Sequence, residues 1–167
     1  MNKPISMDDP SSIEIGRMPG HLARRFQQIA VATFLAECSA AGYDLTPVQF
    51  AALAAIARTP GLDQATLAGI IAYDRATITG VLDRLTQKGL IARVRSSADR
   101  RAHVLSVTKA GEVALAGIRP AVEAAQRAML RGLSSEEASQ LILLLDKAIS
   151  AANDLSRAPQ KPAVAGR

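Results

Sequence analysis

The stretch that most constrains this chain runs from Tyr73 to Lys109, YDRATITGVLDRLTQKGLIARVRSSADRRAHVLSVTK. Asp74 can cap a helix, and Ile78, Val81, Leu82 and Leu85 recur at helical spacing from about Arg75 to Lys88, ending on Gly89. The period then switches from 3.6 to 2. Leu90 to Arg95 and Ala102 to Val107 each alternate, and Ser96 to Arg101 between them reads as a hairpin loop with an arginine-rich tip. A short helix followed at once by a two-stranded hairpin leaves few architectures open.

The charge is concentrated in the same window. Tyr73 to Lys109 holds eight basic residues and three acidic ones, an excess equal to the net +5 of the whole 167-residue chain. A positive field focused on one segment suits a polyphosphate partner. Apolar residues make up 49% of the chain and aromatic ones only 3%, so the core must be built from aliphatic side chains packed mostly between helices. A single cysteine forms no internal disulfide, and no segment reads as a leader or a bilayer span, so the expectation is a reduced, cytoplasmic protein.

Upstream, residues 1–18 are polar, carry Pro4 and Pro10, and are expected to be flexible. Leu22, Phe26, Ile29, Thr33 and Phe34 follow helical spacing and predict a first helix from about His21 to Ala41, stopped by Gly42. Thr46-Pro47-Val48-Gln49 is a capping box with proline at the first helical position, so a second helix should run to about Arg58. Asp63 caps a short third helix, Gln64 to about Ala72, which leads directly to the helix capped by Asp74. Two short helices back to back before a hairpin form a winged helix-turn-helix, in which the second presents its start to a major groove. Thr108 can cap a fifth helix, kinked or divided at Pro120, and Ser134 to Glu137 is a capping box for a sixth with an apolar stripe at Leu141, Leu144, Leu145, Ala148 and Ala152. The fold class expected is mainly α, with a two-stranded wing.

These residues resemble the MarR-type transcriptional regulators over roughly Leu22 to Leu155. The likeness rests on Asp99-Arg100-Arg101, on Leu105 to Gly111 (LSVTKAG), and on the run from Asp74 to Ile91. The resemblance implies a homodimer whose terminal helices interlock and whose two winged lobes meet successive major grooves of a pseudo-palindromic double-stranded DNA operator. It implies division into a flexible segment (1–18), a first dimerisation helix (19–45), the winged helix-turn-helix (46–108), C-terminal dimerisation helices (109–156) and a flexible tail (157–167). It places Arg75, Thr77 and Thr79 on bases and nearby phosphates, and Arg84 on phosphate or an acidic neighbour. Arg95, Arg100 and Arg101 complete the DNA-binding set, with Asp99 organising the wing. Arg93 can equally be a solvated strand charge.

Many relatives release DNA when a small aromatic acid enters a cleft near the first two helices, and this chain looks similar to repressors of aromatic-acid catabolism, including those responding to a hydroxynicotinate such as 6-hydroxynicotinate. Residues of the right chemistry are His21, Arg24, Arg25 and Gln28 for a carboxylate, and Tyr43 for a ring. Pro47 stands where some relatives carry a ligand-packing tyrosine. A second reading is a redox sensor acting through Cys38, although Glu37 beside it would raise the thiol pKa. A third is an architectural DNA binder without sequence preference. No enzyme motif, cofactor fingerprint or metal-ligand spacing is present in the sequence.

Overall fold

The computed structural model describes residues 14–95 and 103–162. Six helices and one hairpin follow in the order α1 (Pro19–Ala40), α2 (Pro47–Arg58), α3 (Gln64–Ile70), α4 (Arg75–Gln87), β1 (Ile91–Arg95), β2 (His103–Val107), α5 (Lys109–Met129) and α6 (Ser135–Ala151). Each helix from α2 onward starts on a side-chain cap. Thr46 and Gln49 form a reciprocal box, Asp63 accepts from the Thr66 N–H, Thr108 from Gly111, and Ser134 from Glu137. These caps satisfy amides that a helix start leaves unpaired. Gly42 and Gly89 close α1 and α4 at φ 79° and 68°, a backbone region that costs glycine nothing.

Some boundaries move from the sequence expectation. α1 begins at Pro19, two residues before His21, because proline's fixed φ suits a first helical position. α3 stops at Ile70, since Ala72 turns left-handed at φ 55° and the Tyr73 N–H reaches back to the Ala68 carbonyl. α5 is continuous through Pro120 rather than divided, so the missing amide is absorbed as one lost hydrogen bond on an exposed face.

A single hydrophobic core runs from α1 to α5 among the described residues. Leu53, Ile56, Leu67, Ile78, Leu82, Leu85 and Ile118 are fully buried, α1 lies along α5, and α2 to α4 pack beneath the hairpin. β1 and β2 pair antiparallel with Ile91 opposite Val107 and Arg95 opposite His103. The Leu105 N–H donates to the Leu62 carbonyl at 2.8 Å, stitching the hairpin to the loop before α3. α6 has no buried residue; Ile142, Leu143, Leu144 and Ile149 are 58%, 70%, 57% and 59% exposed. Beyond Ser156, where a flexible tail was expected, residues through Pro162 fold back onto α3, held by a 2.9 Å bond from the Lys161 N–H to the Gly69 carbonyl.

Candidate nucleic-acid interface

α4 buries Ile78, Val81, Leu82 and Leu85 and turns Arg75, Thr77, Thr79 and Arg84 to solvent. Its start is tightly organised. One Asp74 carboxylate oxygen accepts the Thr77 N–H at 2.9 Å and the other accepts the Thr77 hydroxyl at 2.7 Å. Those two bonds, the backbone one first, hold the Asp74 carboxyl below its ordinary pKa. The Thr79 hydroxyl donates to the Arg75 carbonyl at 2.9 Å and accepts from the Gln64 side chain at 2.7 Å, so Gln64 fixes α3 against α4. With both hydroxyl protons held inside the protein, the two threonines offer a base edge their methyl groups and lone pairs. Such groups suit a thymine methyl or an exocyclic amine.

Further along, the lobe is braced by two ion pairs. Arg93 meets Asp83 at 2.9 Å, so it ties β1 to the outer face of α4. Lys88 meets the Asp44 carboxylate at 2.8 Å and also the Asp44 carbonyl, which pins the end of α4 to the turn before α2 and lowers the Asp44 pKa, chiefly through the hydrogen bond. Arg84 has the exposed position expected of a phosphate contact. Arg95 is exposed at the end of β1. Asp99, Arg100 and Arg101 lie outside the described residues. Sequence reasoning missed Gln64, because a glutamine one position after a cap carries no motif of its own.

The residues proposed for an acid ligand do not converge within one protomer. His21, Arg24, Arg25 and Gln28 sit on the first turns of α1, where Arg24 donates to Gln28 at 3.0 Å, whereas Tyr43 lies past the other end of that helix. At 1.5 Å per residue, Gln28 and Tyr43 are separated by about 20 Å along the axis, too far for one small ring. The Tyr43 hydroxyl instead packs over Gly117 of α5. A groove of about 520 Å³ opens elsewhere, between α2 and α5, lined by Phe50, Ala54, Leu115 and Val122 with Arg58, Arg119 and Glu123. Arg58 and Arg119 did not stand out in the sequence, since an arginine on an amphipathic helix usually reads as solvated. Cys38 is 1% exposed, and burial first, then Glu37, raises its pKa. That is the opposite of a sensor thiol.

A capped helix with a polar start, braced on a second short helix and followed by a hairpin, defines a winged helix-turn-helix DNA reader. Comparison with known proteins agrees. The MarR family profile matches residues 43–102. Over 147 residues, 87% of this chain and 88% of its relative, the sequence is 35% identical to a putative transcriptional regulatory protein for the hcr operon of Thauera aromatica. BpsR of Bordetella bronchiseptica, solved to explain regulation of its DNA binding by 6-hydroxynicotinic acid, superposes with a TM-score of 0.75 at 29% identity, covering 81% of this chain and 96% of that one. The transcriptional repressor CouR, solved on a 23-mer DNA duplex, superposes with a TM-score of 0.74 at 28% identity, covering 81% and 94%. The chain belongs to the MarR family of DNA-binding transcriptional regulators. Among its described residues no helix is long and apolar enough to cross a membrane.

Proposed function

We propose that this protein is a homodimeric repressor that binds a pseudo-palindromic operator and is released by a small aromatic acid of the hydroxynicotinate kind. The observation that carries the DNA reading is the start of α4, where Asp74 and Gln64 hold Thr77 and Thr79 at the surface beside Arg75. Arg75, Thr77 and Thr79 meet bases and adjacent phosphates, Arg84 and Arg95 meet phosphates, and Arg100 and Arg101 act from the wing with Asp99 as their organiser. The similarity to BpsR supports the ligand class.

The effector occupies the groove between α2 and α5, where apolar walls suit a ring and Arg58 or Arg119 a carboxylate. The largely exposed first half of α1, with His21, Arg24, Arg25 and Gln28, closes that groove from the partner protomer. Binding there favours a lobe spacing that no longer matches successive grooves, so DNA is released by population shift. The test is fluorescence anisotropy on DNA from upstream of the protein's own gene against shuffled DNA, with and without 6-hydroxynicotinate or salicylate. Sequence-dependent binding lost with hydroxynicotinate is the expected result, with Thr77→Ala eroding discrimination between sequences and Arg101→Ala flattening the salt dependence. Equal binding to shuffled DNA would point to an architectural protein instead, and specific binding indifferent to both acids would remove the ligand class.

A further inference from the structure

The chain past α6 is clasped and aimed. The Asn153 side chain brackets the Gln160 backbone, donating to its carbonyl at 3.0 Å and accepting its N–H at 2.8 Å. The Ala158 N–H donates to the Ser156 hydroxyl at 3.2 Å, and Pro159 and Pro162 fix two further φ angles. This closed segment then docks on the last turn of α3, where the Gly69 carbonyl, which also accepts the Ala72 N–H at 3.3 Å, keeps a second lone pair. The Lys161 N–H donates to the Gly69 carbonyl at 2.9 Å and the Gln160 side chain to the Ile70 carbonyl at 3.0 Å. Gly69 makes the fit, because the Lys161 stem lies 3.0–3.2 Å from where its Cβ would stand.

Docking there forms an open groove of about 480 Å³ in which Arg157 and Lys161 line one wall and Tyr73, Asp74 and Arg75 at the start of α4 line the other. Its floor is small, made of Ala65, Ala68 and Gly69, and its one carboxylate, Asp74, is already occupied by Thr77. Three cations thus surround a shallow channel at the base-reading end of the recognition helix.

We infer that the C-terminal segment Arg157–Pro162 is part of the DNA-binding surface, holding Arg157 and Lys161 beside Arg75 to neutralise phosphates flanking the major groove. The inference rests on the DNA-binding reading and adds a phosphate-contacting element outside the helix-turn-helix and its wing. Phosphate neutralisation releases counterions, so the slope of log affinity against log salt counts the contacts, at about 0.9 for each on duplex DNA.

The test is a salt titration of binding to a random-sequence 30-base-pair duplex by the full chain, by Arg157→Gln/Lys161→Gln, and by Arg127→Gln/Arg131→Gln as a charge-matched control at the far end of α5. The expected result is a slope shallower by about 2 per bound protomer for the first variant, with the control close to wild type. A slope change equal to the control's, or none, would overturn the inference while leaving the DNA reading intact. Absence of salt-dependent duplex binding by the wild type would remove both.

Discussion

Asp74 makes the residue-scale case, because one side chain both caps α4 and fixes the Thr77 hydroxyl at its exposed start. Its charged form accepts two hydrogen bonds in the folded state, so its folded pKa lies below the unfolded value. Stability from that group is therefore present above the unfolded pKa and is lost as pH falls through the folded one. Asn caps about as well as Asp but does not titrate. Measured by urea unfolding, the stability of the wild type relative to Asp74→Asn should fall on acidification from about pH 5 to about pH 3. Asp44 and Glu137 are also held low, and alike in both proteins, so the difference isolates Asp74. Parallel pH profiles would show that the Thr77 bonds do not favour the carboxylate. Cys38 gives the converse lesson. Its neighbour Glu37 was legible in the sequence, but the larger effect, burial under the core, needed the fold.

At the scale of elements, what could be read locally was read well. Caps at Thr46, Asp63, Asp74, Thr108 and Ser134 and stops at Gly42 and Gly89 depend on side chains a few residues away, so their positions transfer directly from sequence. What escaped was set by contacts distant in sequence. The bond from Gln64 to Thr79 and the docking of residues near 160 on α3 link positions that no periodicity connects. His21 and Tyr43 lie near opposite ends of a 22-residue helix, a separation already implied by the span expected from His21 to Ala41, because side-chain chemistry and not position had grouped them. α5 shows a penalty tolerated without a break. Pro120 forfeits one helical hydrogen bond and strains the carbonyl four residues earlier, at about 3 kcal/mol, while stiffening the unfolded chain by about 1 kcal/mol in its favour. Since Pro120 is exposed, Pro120→Ala should stabilise the protein by about 2 kcal/mol, read as a higher urea midpoint at unchanged slope. A lower midpoint would mean that α5 needs the proline, for instance to curve along α1.

At the scale of the whole molecule, the apolar surface left uncovered says what a single chain lacks. Leu143 and Ile149 on α6, Val113 on α5 and Leu22 and Ile29 on α1 are 70%, 59%, 62%, 46% and 47% exposed, and they lie on the elements outside the winged lobe. Exposed apolar residues on this scale mark an interaction surface, and a second copy of α1, α5 and α6 has the matching character. Burying such a face against itself also links two recognition helices, so the second half-site is met at a high effective concentration. Ile142→Glu/Ile149→Glu, two exposed positions seven apart and so on one face of α6, places like charges there without touching the core of the winged lobe. The variant should sediment as a monomer at micromolar concentration with its helical circular dichroism retained, and its affinity for a two-half-site operator should fall by about 100-fold or more, the advantage that linkage confers. Binding to a single half-site should hardly change. A variant that remained dimeric would place the interface elsewhere, and one that became monomeric without losing operator affinity would mean that each lobe binds its half-site independently.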